Sequence, residues 1–217
     1  MAEFHPAFEE YCEVIFELKE DKLDVIQARI AERLGISRPS VSEQIKKLEA
    51  EGLVRQSGGK ISLTHTGTEL AESVVRRHRL AERFLTDILG LSWAGAHKEA
   101  GKWEHIMSDS VEHAMNRVLG EPTTCPHGNP IPGSDYAAPK SRTLTNVEVG
   151  HRFVVSRIPE ELEFSPGVLE FLEDAQLLPG AHGTLTAIGP DGTLTIEVNG
   201  TTVGLGAFAS QRILVEA

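Results

Sequence analysis

The sequence predicts a multidomain α+β protein, with an N-terminal winged helix-turn-helix, a helical middle and a small C-terminal β-barrel. Three observations predict it. Two short helical patterns meet at Gly35 and run into a Gly-Gly hairpin; apolar residues keep helical spacing from residue 64 to 119; and from residue 145 the period changes to two, with Gly, Asp-Gly and Asn-Gly between short runs. The corresponding boundaries are 1–67, 68–140 and 141–217.

In chain order, EEYCEVIFELKE (9–20) spaces Tyr11, Val14, Ile15 and Leu18 by three and four, as an amphipathic helix does. LDVIQARIAERLGI (23–36) lines up Val25, Ile26, Ile30, Ala31 and Leu34, and Gly35 stops the helix. In SRPSVSEQIKKLEAEGLV (37–54), Ser37 is the N-cap, Pro39 sits in the first turn where its missing N–H costs nothing, and Gly52 ends the helix. VRQSGGKISLTHTG (54–67) is the wing, a hairpin turning at Gly58-Gly59. THTGTELAESVVRRHRLAERFLTDILG (64–90) is expected as one long helix, and the helical stretch 92–119 is expected to break near Ser108 to Ser110. GEPTTCPHGNPIPGSDYAAPK (120–140) is a linker or an ordered loop. VGHRFVVSRI, GTLTAI, GTLTIEV, TTVGLG and RILVEA supply the barrel strands, with one helical insert at 166–178 and with Phe153, Phe164, Phe171 and Phe208 expected in the barrel core.

A chain of 217 residues can bury a core without disulfides, and neither a signal-peptide core nor a bilayer-spanning apolar run is visible. We expect a cytoplasmic protein with Cys12 and Cys125 reduced, no membrane partner and no small organic substrate. The net charge of −11 argues against coating nucleic acid by bulk attraction. Residues 19–80 nevertheless hold 12 Lys and Arg against 9 Asp and Glu, leaving 9 against 23 elsewhere. A basic third on an acidic body suits one face that meets phosphate.

A recognition helix needs small or hydrogen-bonding residues in its first turns, where side chains reach base edges. Ser37, Arg38, Pro39, Ser40, Ser42 and Gln44 meet that need. Arg29, Lys46 and Lys47, with Lys60 and Arg55 on the wing, are the candidate phosphate contacts. The expected partner is double-stranded operator DNA.

His78 and Glu82 lie four apart on one helix face, and His97, Gly101, Glu104 and His105 fall at i, i+4, i+7 and i+8 on the next. Imidazoles and carboxylates facing each other across two helices suit Mn²⁺ or Fe²⁺, whereas structural zinc favours more thiolate. Glu10 and Glu13 on the first helix and the loop pair Cys125 and His127 are further candidate ligands.

RIAERLGISRPSVSEQIKKLEAEGLV, RRHRLAERFLTDILGL, GKWEHIMSDSVE and HGNPIPG together resemble the diphtheria toxin repressor family of iron- and manganese-dependent transcriptional regulators, over nearly the whole chain. The resemblance implies a homodimer, a helical dimerisation domain carrying two or more metal sites per subunit, and a C-terminal SH3-like (FeoA-like) domain. It assigns His78, Glu82 and His97 to one site, and Glu104 and His105, with position 10, to the other. Iron-type members carry Met and Cys where this chain has Glu10 and Gly101, so the harder donors here imply Mn²⁺ over Fe²⁺, with a water or Glu13 completing the second site. The likeness to manganese-type members also implies a Cys125–His127 contribution and an acid from the C-terminal domain, Glu163, with Glu160 and Glu161 as neighbours. The function implied is metal-dependent repression of metal-uptake genes. Two other classes fit less of the chain: a metal hydrolase lacks a nucleophile motif, and a Pro-peptide module lacks aromatic groove walls.

Overall fold

The computed structural model describes residues 6–217. Helices α1 (Pro6–Glu20), α2 (Gln27–Leu34) and α3 (Arg38–Ala50) precede a hairpin of β1 (Val54–Ser57) and β2 (Lys60–Leu63). Gly35 ends α2 in the left-handed region (φ 64°), and the Ser37 side chain accepts the Ser40 N–H at the start of α3. The two-residue turn places both Gly58 (φ 58°) and Gly59 (φ 79°) at positive φ, which a side chain would resist. Ile15, Ile30, Val41, Ile45, Leu48 and Leu53 fill the core of this head. The Ile61 N–H donates to Val25 O at 2.9 Å, tying the wing to the segment before α2.

Helix α4 (His65–Arg83) starts at Thr64, whose side chain accepts the Gly67 N–H. The single helix expected over 64–90 stops being α-helical at Arg83, and Phe84–Ile88 winds as a π-turn. Its cause is local: the Thr86 hydroxyl donates to Glu82 O at 2.9 Å and competes with the regular ladder. Helices α5 (Trp93–Trp103) and α6 (Asp109–Val118) follow; the break runs from Glu104 to Ser108, so Glu104 and His105 lie in the turn after α5 rather than on its helical face as expected. Leu80, Leu85, Ala96, Ala100, Met107 and Ile131 pack among these helices, and α4 lies between α1 and α5.

Residues 120–140 form an ordered loop with Cys125, His127 and Asn129 fully buried. The Cys125 N–H donates to Asn129 O at 2.9 Å. Gly128 has φ 87°, and a Cβ there would meet Ser156 O at 2.3 Å, so glycine lets the loop lie flat on the C-terminal domain.

That domain comprises β3 (Arg142–Thr143), β4 (Arg152–Arg157), α7 (Glu160–Glu163), α8 (Val168–Asp174), β5 (His182–Ile188), β6 (Leu194–Val198), β7 (Thr201–Leu205), α9 (Ala207–Ser210) and β8 (Leu214–Glu216). The expected closed barrel is not what forms: the sheet is open, in the order β3-β8-β4-β5-β6-β7. Helical residues, Leu162, Leu169 and Leu172, cover the strands' apolar face together with Trp93 of α5, so burial does not require closure. Of the four phenylalanines expected in the core, only Phe153 is buried; Phe164, Phe171 and Phe208 are 42–46% exposed. Leu169 and Leu172 take the inward face of α8, which turns Phe171 outward.

Candidate metal centre

Four segments converge on one buried group of donors. His78 and Glu82 project from one face of α4, with His78 Nε2 to Glu82 Oε1 at 3.2 Å. His97 of α5 places Nδ1 2.9 Å from the same Glu82 oxygen and 3.3 Å from His78 Nε2. The loop adds His127, whose Nδ1 lies 3.5 Å from Glu82 Oε2 and 3.8 Å from Cys125 Sγ. From α7, Glu163 Oε2 approaches His127 Nδ1 at 3.0 Å and His97 Nδ1 at 3.3 Å. Asn129 donates to Glu163 Oε1 at 2.6 Å and orients it. The rings of Trp93 and His127 pack nearly perpendicular, at 88° with 4.6 Å between centres. A second group adjoins the first through His78, whose Nδ1 bonds Glu104, with Glu13 of α1 beside them. His105 bridges Glu104 Oε1 (Nε2, 3.2 Å) and Glu9 Oε2 (Nδ1, 2.7 Å).

In the first group, carboxylates and imidazoles hold one another charged. Burial disfavours the charge of His97, yet hydrogen bonds to Glu163 and Glu82 outweigh it and hold its pKa up at about 10. Burial likewise opposes ionisation of Glu163, and His127 overrides it, bringing the carboxyl down to about 2. Burial, followed by the neighbouring Glu104, pushes Glu13 well above the usual carboxylate range. Burial and Glu82 raise the Cys125 thiol. His127 Nε2 is buried with no hydrogen-bond partner, while Glu82 Oε2 and Glu163 Oε2 are buried with ion-pair contacts to imidazole alone, at 3.5 Å and at 3.0 and 3.3 Å. Oxygens so sparingly satisfied are costly in a core, and both lie among the donors a divalent ion would take. Two ligand sets fit: His78, Glu82, His97 with Cys125, His127 and Glu163, and Glu13, Glu104 and His105 sharing His78.

Comparison with known proteins assigns the chain. Residues 3–60 match the iron dependent repressor N-terminal DNA binding domain, residues 64–133 its metal binding and dimerisation domain, and residues 142–217 the FeoA domain. The iron-dependent repressor IdeR of Mycobacterium tuberculosis is 38% identical over 212 residues, 92% of each chain. The chain belongs to the iron-dependent (diphtheria toxin) repressor family. The diphtheria toxin repressor of Corynebacterium diphtheriae is 39% identical over 218 residues, 96% of each chain. Among solved structures, a manganese-dependent transcriptional repressor in complex with manganese superposes with TM-score 0.87 at 33% identity, covering 97% of this chain and 99% of that one. The manganese regulator SloR gives 0.78 at 30% identity, covering 96% and 97%. Manganese- and iron-dependent repressors of the family thus both stand near this chain.

Within this repressor-family chain, the side chains read from sequence fall into place unevenly. His78, Glu82, His97, Cys125, His127 and Glu163 meet in the first group, and Glu13, Glu104 and His105 in the second. Glu10 is exposed, at the rim of a cavity of about 280 Å³ whose walls include Glu13, Glu17, Gly101 and Glu104. Of the two neighbours, Glu9 is the one that reaches His105. A Cβ at Gly101 would meet nothing within 4 Å, so the position has room for a side chain or solvent. Glu160 is buried on Arg79 (2.8 Å), and Glu161 pairs with Arg212 (2.6 Å), so neither joins the donors. Sequence reading missed Glu9, Glu17, Asn129 and Trp93. A stripe of acids four apart (Glu9, Glu13, Glu17) was the available signal for the first two.

On the DNA-reading head, Ser37, Arg38, Pro39 and Ser40 are exposed at the start of α3, with Ser42 and Gln44 half-buried and Lys46 and Lys47 exposed beyond them. Lys47 pairs with Glu43 at 2.9 Å and Lys60 with Asp24 at 2.8 Å. Arg55 is exposed on the wing. Arg29 lines a cleft with Phe164 and Phe208 rather than standing on α3.

Proposed function

We propose that this chain is a homodimeric repressor of metal-uptake genes that acts in the cytoplasm on double-stranded operator DNA when Mn²⁺ is bound. The donor set carries the reading: two carboxylates, three imidazoles and a single thiol in one group, and carboxylates with imidazole in the other, are hard and borderline donors that suit Mn²⁺. The manganese-complexed structural relative agrees with it. In the three-part division at 67 and 140, the first part reads DNA, the second pairs subunits and holds ions, and the third supplies Glu163.

A bound ion would supply the positive charge that imidazole protons otherwise give Glu82 and Glu163, and that the buried Glu13 lacks. The chain does the rest. Its candidate ligands come from α1 of the head, from α4, from α5 and the turn after it, from the Cys125–His127 loop and from α7 of the C-terminal domain, so satisfying them all fixes these bodies in one arrangement. On the helical domain, Ile88, Leu89, Ile106, Val111 and Val118 are 49–81% exposed, an apolar set that a second copy would cover. Two heads so paired would present two α3 helices to successive major grooves. No described helix is long and apolar enough to cross a membrane.

Fe²⁺ is the second reading, favoured by the Cys125 thiol and by relatives named as iron-dependent. Chelated protein titrated with Mn²⁺ and, anaerobically, with Fe²⁺ against the duplexes it selects from a random pool tests both. Binding tightened by Mn²⁺ at lower concentration than Fe²⁺ supports the first reading; the reverse order supports the second, and binding indifferent to either ion overturns the repressor mechanism.

A further inference from the structure

Among the described residues, the candidate ligands reach the DNA-reading head only through α1, and α2, which leads into the recognition helix, carries none. Phe164 closes that gap. It directly follows Glu163 at the end of α7, and its ring stands edge-on to His97, 88° between planes with centres 5.2 Å apart. The guanidinium carbon of Arg33, on α2, lies 4.2 Å from the centre of the same ring. Arg33 is almost fully buried, reaches Glu17 of α1 at 3.4 Å, and leaves Nη2 with no hydrogen-bond partner, so the aromatic ring is a main part of what receives its charge.

The surroundings make this contact specific to α2. A cleft of about 360 Å³, lined by Leu18, Arg29, Phe164, Phe208 and Arg212, separates the head from the C-terminal domain. Among the described residues, the hydrogen-bonded ties between the head and the C-terminal domain run to the end of α1: Arg157 to Asp21 (2.7 Å) and to Glu20 (2.9 Å), and the Glu161 N–H to Asp21 (3.1 Å). Phe164 is 45% exposed, so it is not retained to fill a core.

We infer that Phe164 is a positioning residue that couples the donor group around His97 and Glu163 to α2, and so to the recognition helix, through its contact with Arg33. Glu163 and Phe164 share one helical turn, and His97 touches both. A carboxylate and an imidazole that settle into ligand positions therefore set the ring, and the ring sets Arg33. The inference rests on the metal-dependent repressor reading.

The test compares wild type with Phe164→Leu, Phe164→Tyr, Arg33→Lys and the Phe164→Leu/Arg33→Lys double variant, each as full-length protein. Three quantities are read: Mn²⁺ affinity by calorimetry, affinity with and without Mn²⁺ for a duplex selected by loaded wild type, and hydrogen exchange of α2 amides in chelated protein. The expected result is Mn²⁺ affinity of the free proteins within about threefold of wild type, with the Mn²⁺-induced gain in DNA affinity reduced about tenfold in Phe164→Leu and Arg33→Lys. Phe164→Tyr keeps the gain, the double variant is no worse than either single one, and α2 exchanges faster in Phe164→Leu. An unchanged gain in Phe164→Leu and Arg33→Lys overturns the coupling, as does additive loss in the double variant. If wild type itself gains no DNA affinity on loading, the repressor reading fails first and takes the coupling with it.

Discussion

Replacing Glu163 by Gln keeps the side chain's size and removes its charge. In the folded protein this carboxylate is buried, with Oε2 3.0 Å from His127 and 3.3 Å from His97 and Oε1 taken by Asn129. Without metal the loss is partly self-limiting. Breaking a buried ion pair costs about 3–5 kcal/mol if the remaining charge stays, but the two imidazoles can shed their protons instead. With metal no such escape exists, because an anionic oxygen ligand is gone. Outer partners of metal ligands are worth about 10–100-fold in affinity, so a ligand itself sets a floor of about 100-fold, or about 2.7 kcal/mol. The effect can be read as stability. At a Mn²⁺ concentration about 1,000 times the wild-type dissociation constant, wild type gains about 4.1 kcal/mol and the variant about 1.4 kcal/mol. Denaturant unfolding of chelated and loaded protein, beside competition against a fluorescent chelator, measures both. Mn²⁺ affinity in Glu163→Gln within threefold of wild type would refute a ligand role for this carboxylate and leave it as the counter-ion of His127.

Three further outcomes follow from the same geometry. His97 is held protonated up to about 10 against an ordinary value near 6.5, so its proton must leave on loading; Mn²⁺ affinity therefore rises with pH between about 6 and 9, and the stabilisation of chelated protein, full below about 6.5, is lost as pH climbs through about 10, both followed by titration in a pH series. Gly101→Cys enters open space and adds a soft donor beside Glu104, so the fold is kept while the ratio of Fe²⁺ to Mn²⁺ affinity rises about tenfold; a thiol that changes neither affinity sinks the role of position 101 in selectivity. Arg38→Ala, at the exposed start of α3, weakens binding to the selected duplex by about 1–3 kcal/mol in the presence of Mn²⁺ and leaves calorimetric Mn²⁺ affinity unchanged; DNA binding equal to wild type would remove Arg38 from the reading surface.

The head and the helical faces were legible in the sequence. Ser37 at an N-cap, Gly35 at a helix end and Gly58-Gly59 in a two-residue turn each encode a local backbone state, and such states need no distant partner. The pairing of His78 with Glu82 follows from helical spacing alone. Family likeness, not spacing, pointed to Glu163. What only the tertiary structure decided is non-local. Which of Glu9 and Glu10 reaches His105 depends on how α1 is rotated against the turn that follows α5, and adjacent residues differ by about 100° around a helix. The C-terminal sheet stays open because helices and Trp93 cover its apolar face, which alternation within strands cannot reveal. The exposure of Phe164, between His97 and Arg33, likewise depends on three segments meeting. Sequence periodicity specifies which face of one element is apolar or charged; which faces then meet is set by packing among elements far apart in the chain.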